Sequence, residues 1–415
     1  MITKKFLLAA LVLTVIDAGA QRPNFSYKFY GQIRADVFYN SRANKESADG
    51  IVNYYPLDKN PDATGRDLNA TSNLGFYTLY SRLGLDVQGP DLKDGAIHTA
   101  AKMEIDFRGS STSYSLARIR HMYLQLGWKR QSLLVGQTWH PFYGDIAPEV
   151  LSLDMGAPFQ PFSRAPQVRY QAEVGRGVRL TGAALWQTQY TSYGYANSAS
   201  ESLIKQSCTP EFLIGVDYTH GHFTLGAAAE MLSVVPRTQV TSPGGLTYKV
   251  DERLTSFSGE LHLRYKTQRF AAAAKTVIGS NLTQLSTLGG FGVRPMRNLG
   301  SATDEAYTYD LKPLRTSATW ASLSYGTRLR ATAFGGYYKN LGARSTVSQT
   351  YGNGTDIDQM FMAGMNLTYN LPHWKFGVEY TARAADYGQK TSHGRVSQTH
   401  RVTNHRAMAT TIFLF

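Results

Sequence analysis

The chain has one cysteine, Cys208, and that scarcity excludes a disulfide-stapled scaffold. After its N-terminus it also lacks any apolar run near the ~18 residues of a membrane-crossing helix, which excludes a helical membrane bundle. Charged residues are few, 18% of 415, yet disorder is excluded too, because 42% of the residues are hydrophobic and 12% aromatic. The charge that is present is one-sided: 43 Lys and Arg stand against 30 Asp and Glu, a formal net charge of +13. An excess of that size calls for an anionic partner or an anionic path. What remains is a chain rich in Gly and Tyr, long enough for one large domain or two ordinary ones.

The first twenty residues read as an address. Lys4 and Lys5 precede an apolar stretch at 6–16, and Ala18-Gly19-Ala20 precedes Gln21. Those parts compose a secretory signal peptide over 1–20, cut after Ala20, with 21–415 as the mature domain. The apolar stretch is short for a membrane anchor, and no Cys follows the cut to carry a lipid. Cys208 sits in Lys205-Gln206-Ser207-Cys208-Thr209-Pro210, the composition of an exposed loop. Export also argues against nucleic acid as the anionic partner.

Hydrophobicity in the mature part alternates with a period of two. At 27–39, Tyr27, Phe29, Ile33, Ala35, Val37 and Tyr39 share one face while Lys28, Gln32, Arg34 and Asp36 share the other. The pattern returns at 95–108, where Met103 and Ile105 oppose Lys102, Glu104 and Asp106, and at 256–266, where Leu261 and Leu263 oppose Glu260, His262 and Arg264. Each is a strand with one apolar and one polar side. Sixteen such strands are expected, near 26–40, 74–88, 95–108, 115–128, 132–140, 166–175, 177–188, 211–219, 222–234, 255–266, 269–279, 317–325, 328–339, 359–370, 373–385 and 401–415. No segment reads as an amphipathic helix.

The connections alternate between long and short along most of the chain. Segments 41–73, 141–165, 189–210, 235–254, 280–316, 340–358 and 386–400 are long, and those between them are turns of a few residues; only 109–114 is short where a long one is due. That rhythm predicts an all-β, transmembrane, antiparallel up-and-down barrel with short periplasmic turns and long extracellular loops. In lipid every backbone N–H and C=O must be paired internally, which a closed barrel achieves. The last strand, with Ala407, Ala409, Thr411, Phe413 and Phe415 on one face, resembles the sorting signal of bacterial outer-membrane barrels.

If the apolar face meets outer-membrane lipid, the polar face is a lumen, and fixed charges there select ions. Parity places Arg34, Arg82, Lys102, Arg169, Arg179, Arg264, Arg330, Lys375 and Arg383 inward, with Asp36, Asp86, Glu104, Glu173, Glu260 and Glu379. Acids two residues from a base, as in Arg34/Asp36 and Lys102/Glu104, are expected to neutralise as wall pairs. The arginines left over form a candidate path for small anions, since Arg stays charged and offers a fork of donors to carboxylate or phosphate. Tyr27, Phe29, Tyr39, Trp186, Trp374, Phe376 and Tyr380 are expected outward, as an aromatic girdle. At 115–128 the face is open, because Arg118 and Arg120 share parity with Met122, Leu124 and Leu126.

Residues 117–128 read Ala-Arg-Ile-Arg-His-Met-Tyr-Leu-Gln-Leu-Gly-Trp, and 132–143 read Ser-Leu-Leu-Val-Gly-Gln-Thr-Trp-His-Pro-Phe-Tyr. With Phe29-Tyr-Gly-Gln-Ile-Arg-Ala-Asp-Val-Phe-Tyr39 and Ser81-Arg82-Leu83-Gly84-Leu85, this resembles the DcaP-like porins, over about 25–175; the phosphate-selective porins are a nearby relative. The resemblance implies a homotrimer of sixteen-stranded channels for dicarboxylates and other small anions. That family's N-terminal coiled-coil segment has no counterpart ahead of the first strand. The resemblance also puts 141–165 in the place of the third extracellular loop, which in general porins folds inward and sets the constriction. Its prolines and aromatics imply a folded loop, and Asp145, Glu149 and Asp154 are expected to face an arginine row across the gap. The plainer expectation is an outward loop or a trimer contact.

Other chemistries have weak signals. His220-Gly221-His222 falls at a tight turn without a third ligand, so no metal and no cofactor are expected. No Ser/His constellation stands out for a lipase, and the Gly-rich 286–300 does not join a strand to a helix, so no enzyme is expected. Two alternatives to a porin remain: a plugged barrel whose long loops 41–73 and 280–316 serve adhesion or partner docking, and a secreted soluble β-sandwich.

Overall fold

The computed structural model describes residues 25–47, 52–108 and 116–415. The expected signal peptide and the connection at 109–114 lie outside the described residues. Sixteen wall strands are present. The first half comprises β1 (Ser26–Asn40), β2 in two pieces (Asn73–Tyr77 and Arg82–Gln88), β3 (His98–Asp106), β4 (Arg118–Trp128), β5 (Gln131–Trp139), β6 (Arg164–Glu173), β7 (Val178–Leu185) and β8 (Glu211–His220). The second half comprises β9 (Phe223–Val234), β10 (Leu254–Lys266), β11 (Phe270–Ser280), β12 (Tyr307–Gly326), β13 (Leu329–Gly342), β14 (Ile357–Asn370), β15 (Trp374–Lys390) and β16 (Val396–Leu414).

Every strand pairs antiparallel with its sequence neighbours, and β16 returns to β1 with Gln32 opposite Leu414 and Asn40 opposite Arg406. The sheet is therefore a closed barrel and not a sandwich. At the seam the Phe415 ring lies over Gly31, where a Cβ would stand 2.5 Å from the ring, and the two backbones exchange hydrogen bonds of 2.9 and 3.2 Å. Glycine is needed there for that close approach.

The faces follow the alternation. Phe29, Leu124, Ile214, Phe257 and Met365 are exposed on the outside, while Asp36, Glu104, Glu260, Lys275 and Glu379 are buried on the inside. A soluble protein cannot leave so continuous an apolar wall in water; lipid covers it. Tyr27, Phe29, Tyr39, Trp186, Trp374, Phe376 and Tyr380 are all exposed outward, as a girdle requires.

Two irregularities interrupt the period between β2 and β4. The second strand breaks at 78–81, which turns Tyr80 inward and buries it to 1%. Between β3 and β4 the register slips, so that Glu104 faces His121 while Ile105 faces Ile119, and Arg120 is the extra residue of a β-bulge. The bulge settles the face left open by parity: Arg120 and His121 are both buried inward, and Met122 and Leu124 are exposed outward.

The long connections lie at one end and carry structure of their own. A strand at Gly289–Asn298 pairs with the first half of β12 and with Gln349–Asn353. Hairpins form at Asn44–Ser47 with Val52–Pro56 and at Gln239–Thr241 with Thr247–Lys249. One short helix, Ser202–Ser207, departs from the helix-free expectation, and exposed Cys208 caps it. Parts of three connections fold into the barrel, where Tyr55, Phe159 and Leu288 pack on the inward side chains Trp320, Phe334 and Tyr338.

Candidate functional site: the lumen and the loop within it

The connection between β5 and β6, residues 140–163, lies inside the barrel and is tied to strands around most of its circumference. Its start is held by β11, where the Lys275 Nζ donates to the carbonyls of Phe142 (2.6 Å) and Tyr143 (2.8 Å). Its middle is held by β15, where the Glu379 carboxylate accepts the backbone N–H groups of Leu151 (2.5 Å) and Ser152 (3.0 Å). Arg34 of β1 donates to the Leu151 carbonyl at 2.7 Å. Near its end, Trp320 of β12 donates to Gln160 at 2.5 Å and the Phe162 N–H donates to the Leu285 carbonyl at 2.8 Å. A loop with backbone polar groups inside a barrel survives because wall side chains satisfy them.

The expected inward cations divide by what they touch. Arg179 donates to Asp145 (2.9 Å) and Asp217 (3.1 Å), Arg264 to the Asp145 carbonyl (3.3 Å), and Arg330 binds Glu149 through two bonds of 2.6 and 2.9 Å. Arg169 reaches the Trp139 carbonyl at the loop's root. Arg383 donates to Asp154 at 2.6 Å and to the Asn53 carbonyl of the first long connection. Lys375 lines the lumen beside Glu149 and Arg330. Arg82 and Lys102 stand apart from the loop. Lys102 pairs across the sheet with Asp86 at 2.7 Å and lies over the Tyr30 ring, while Glu104, expected as its partner, bonds Arg120.

The three loop acids therefore do not face an arginine row across an open gap. Asp145, Glu149 and Asp154 are each bonded to a wall arginine; the Arg383–Asp154 pair is buried, where the attraction is strongest, while the Asp145 side chain remains largely exposed. The loop is fixed by the very charges expected to oppose it.

A second basic group joins Arg34 and Arg82, which parity points inward, to Arg108, Arg118, Arg120 and Arg164. Tyr80, turned inward and buried by the break in β2, has the guanidinium carbons of Arg82, Arg108, Arg120 and Arg34 at 4.3, 4.9, 5.2 and 5.3 Å from its ring centre. Arg164 lies 4.7 Å over Trp139, which stacks on Tyr143 at 3.9 Å. Arg118 binds Asp106 through bonds of 2.6 and 2.9 Å. The sequence signal was Arg118-Ile-Arg120-His121, whose mixed parity is the mark of the bulge.

The aromatic plate of Trp139, Tyr143 and Phe162 separates cavities on its two sides. Toward the short turns, one of about 580 Å³ is lined by Arg264, Lys266, Arg330 and Lys375 with Asp145 and Glu149, and one of about 410 Å³ by Arg169, Arg179 and Lys275 with Asp217 and Glu260 among others. Toward the long loops, a cavity of about 610 Å³ is lined by Lys45, Arg108, Arg118, Phe162 and Tyr190 and, among the described residues, by no carboxylate.

Among the described residues one cluster has metal-ligand chemistry: His140, Glu211 and Glu230, all buried. Its hydrogen bonds assign it otherwise. The Phe142 N–H donates to His140 Nδ1 at 3.1 Å, which leaves the ring proton on Nε2, pointed at Glu211 Oε1 2.6 Å away. A nitrogen that carries a proton offers no lone pair to a cation. The cluster ties the root of the loop to β8 and β9.

Residues 15–185 match the family described as DcaP outer membrane protein. No curated protein matches the chain. Among solved structures, the outer membrane channel DcaP of Acinetobacter baumannii aligns at 18% identity over 94% of this chain and 97% of that one, with a TM-score of 0.65. The trimer form of in-vitro folded OmpT of Vibrio cholerae aligns at 12% identity over 94% and 99% (TM-score 0.53), and an anion-selective porin from Comamonas acidovorans at 12% over 94% and 100% (TM-score 0.53). With the family match over its N-terminal strands and a closed sixteen-stranded wall throughout, the chain is similar to the DcaP outer membrane proteins and is a porin-fold barrel of the bacterial outer membrane.

Proposed function

We propose that the barrel is a diffusion channel for small hydrophilic solutes that prefers anions of the carboxylate or phosphate type, and that it performs no catalysis. The observation that carries this reading is the lining of the cavities on either side of the aromatic plate. Among the described residues the long-loop cavity is lined by Lys45, Arg108 and Arg118, the last bonded to Asp106, and by no acid, and the larger short-turn cavity has four cations with two acids already bonded to Arg179 and Arg330. In a narrow low-dielectric passage such an excess concentrates anions and repels cations. Arg34, Arg82, Lys102, Arg169, Arg179, Arg264 and Arg330 would be stations along that path, and the 140–163 loop its constriction. A homotrimer fits the architecture, and OmpT of Vibrio cholerae is described in a trimer form. Export would remove residues 1–20.

Purified protein in planar bilayers under a salt gradient tests the reading. Stepwise channels with an anion-sided reversal potential are expected; no steps, or cation preference, would overturn it. The second reading, a plugged barrel that docks partners through its loops, draws on the packing of Tyr55, Phe159 and Leu288 into the lumen. Proteoliposome swelling separates the two, since a plugged barrel passes no solute.

A further inference from the structure

The short turns of the barrel carry charge of one sign. Beyond the longest of them, 89–97, the turns from 129–130 to 371–373 contain Lys129, Arg130, Arg176, Arg269 and Arg328 and no Asp or Glu. All five side chains are exposed. Arg130 lies 3.5 Å from Glu173 at the end of β6, an exposed pair that water screens. Arg328 has its guanidinium carbon 5.1 Å over the outward Tyr369 ring. Lys129, Arg176 and Arg269 have no carboxylate partner among the described residues. The long connections at the other end carry both signs, with pairs such as Arg42–Asp67, Arg66–Asp62 and Arg237–Glu252. The turn cations belong to the links β4–β5, β6–β7, β10–β11 and β12–β13, so they are spread around the wall instead of gathered at one spot. The strand ends beside them present Tyr170, Val174, Tyr325 and Leu329 outward. Aromatic rings at a membrane rim settle at headgroup level, and basic side chains just beyond them reach the phosphates.

We infer that Lys129, Arg130, Arg176, Arg269 and Arg328 form a basic collar that binds anionic phospholipid headgroups in the leaflet reached by the short turns. A soluble acidic protein would engage a patch on one side, whereas a leaflet meets every turn at once, and the cations are distributed for the second. Each Lys or Arg at that depth adds a separate attraction to a negatively charged leaflet, which fades within a Debye length. The collar lies outside the lumen and stands whether or not the barrel conducts.

The tryptophans supply the test. Trp128 and Trp374 stand at the turn rim, Trp186 at the other rim, and Trp139 and Trp320 inside the barrel, so Trp186→Phe leaves only the turn rim within reach of lipid. That protein is reconstituted in phosphatidylcholine vesicles holding about one-fifth phosphatidylglycerol or phosphatidylcholine brominated on its acyl chains, and tryptophan quenching gives the relative affinity of the two lipids. A preference for phosphatidylglycerol of at least about threefold is expected, falling toward equality at about 1 M salt. Replacing all five collar residues by Gln should abolish it. The control, Lys59→Gln, Lys249→Gln, Arg297→Gln, Arg344→Gln and Lys390→Gln together, removes the same charge from exposed positions at the long-loop end and should leave it intact. If the fivefold collar variant gives no heat-modifiable folded band, Arg269→Gln and Arg328→Gln singly should each lower the preference part of the way. Equal quenching by the two lipids overturns the collar as a lipid site and leaves an acidic protein as its partner. A preference that survives in the folded collar variants, or that the long-loop set abolishes equally, overturns it as well.

Discussion

Glu379 is the residue on which the lumen loop turns. It is buried, accepts two consecutive N–H groups of the loop, and takes the Asn366 amide as well. Glu379→Ala would strip both N–H groups of their acceptor, at a cost of roughly 1–3 kcal/mol. The expected result is loss of the compact electrophoretic form at a lower temperature, with new protease cuts within 141–163. The Glu149–Arg330 pair has a sign that pH reveals. Burial pushes the Glu149 carboxyl up, but the bonded Arg330 guanidinium outweighs it and holds the group below the usual carboxylate range. A depressed pKa keeps the group charged above its unfolded value and releases it only as pH falls through the folded one. Glu149→Gln should therefore raise the anion-to-cation permeability ratio at neutral pH by freeing Arg330. That difference from the wild type should persist from pH 8 to 5 and close only as the pH falls below the usual carboxylate range.

At the scale of elements, the sixteen wall strands were legible because one lipid face and one wet face impose a period of two on every segment. The sequence boundaries at β1, β9 and β11 fall within a residue of those observed. The places that were not legible are the places where that period fails. Tyr80 turns inward at a break inside what reads as one strand, and Arg120 is an extra residue opposite Glu104 and Ile105. Deletion of Arg120 would restore unbroken alternation, because Ile119 and His121 would become neighbours opposite Ile105 and Glu104. The expected outcome is a barrel that still gives a heat-modifiable band but lacks the Arg120–Glu104 ion pair in its lumen. Parity says which face a cation takes but not which partner it finds. Lys102 chose Asp86 over Glu104 because a cross-strand neighbour is nearer than a residue two positions along the same face. Asp145, Glu149 and Asp154 found arginines on β7, β13 and β15, a choice set by where a loop sits in a closed wall.

For the whole molecule, the loop at 140–163 lies within the barrel, and on the proposed channel reading it sets how wide the passage is. Replacing 145–158 with a short Gly/Ser linker should enlarge single-channel conductance and weaken ion preference, as measured by the reversal potential in a salt gradient. The wall should survive that change, because its hydrogen bonds run strand to strand from β1 to β16 without using the loop. Retained thermal stability of the barrel would fit; a barrel that no longer folds would mean that Tyr55, Phe159 and Leu288 form a core the wall depends on.

The anchors of that loop also bear on the order in which the protein is built. Asp154 meets Arg383 across 229 residues of sequence, Leu151 meets Glu379 across 228, and Phe142 meets Lys275 across 133. Neighbouring strands zip with short chain closures, whereas these contacts wait until the far side of the wall has been laid down. The seating of the loop is thus expected late in folding: a wide, unset tube comes first, and the loop acquires its shape only as the final third of the chain arrives to grip it.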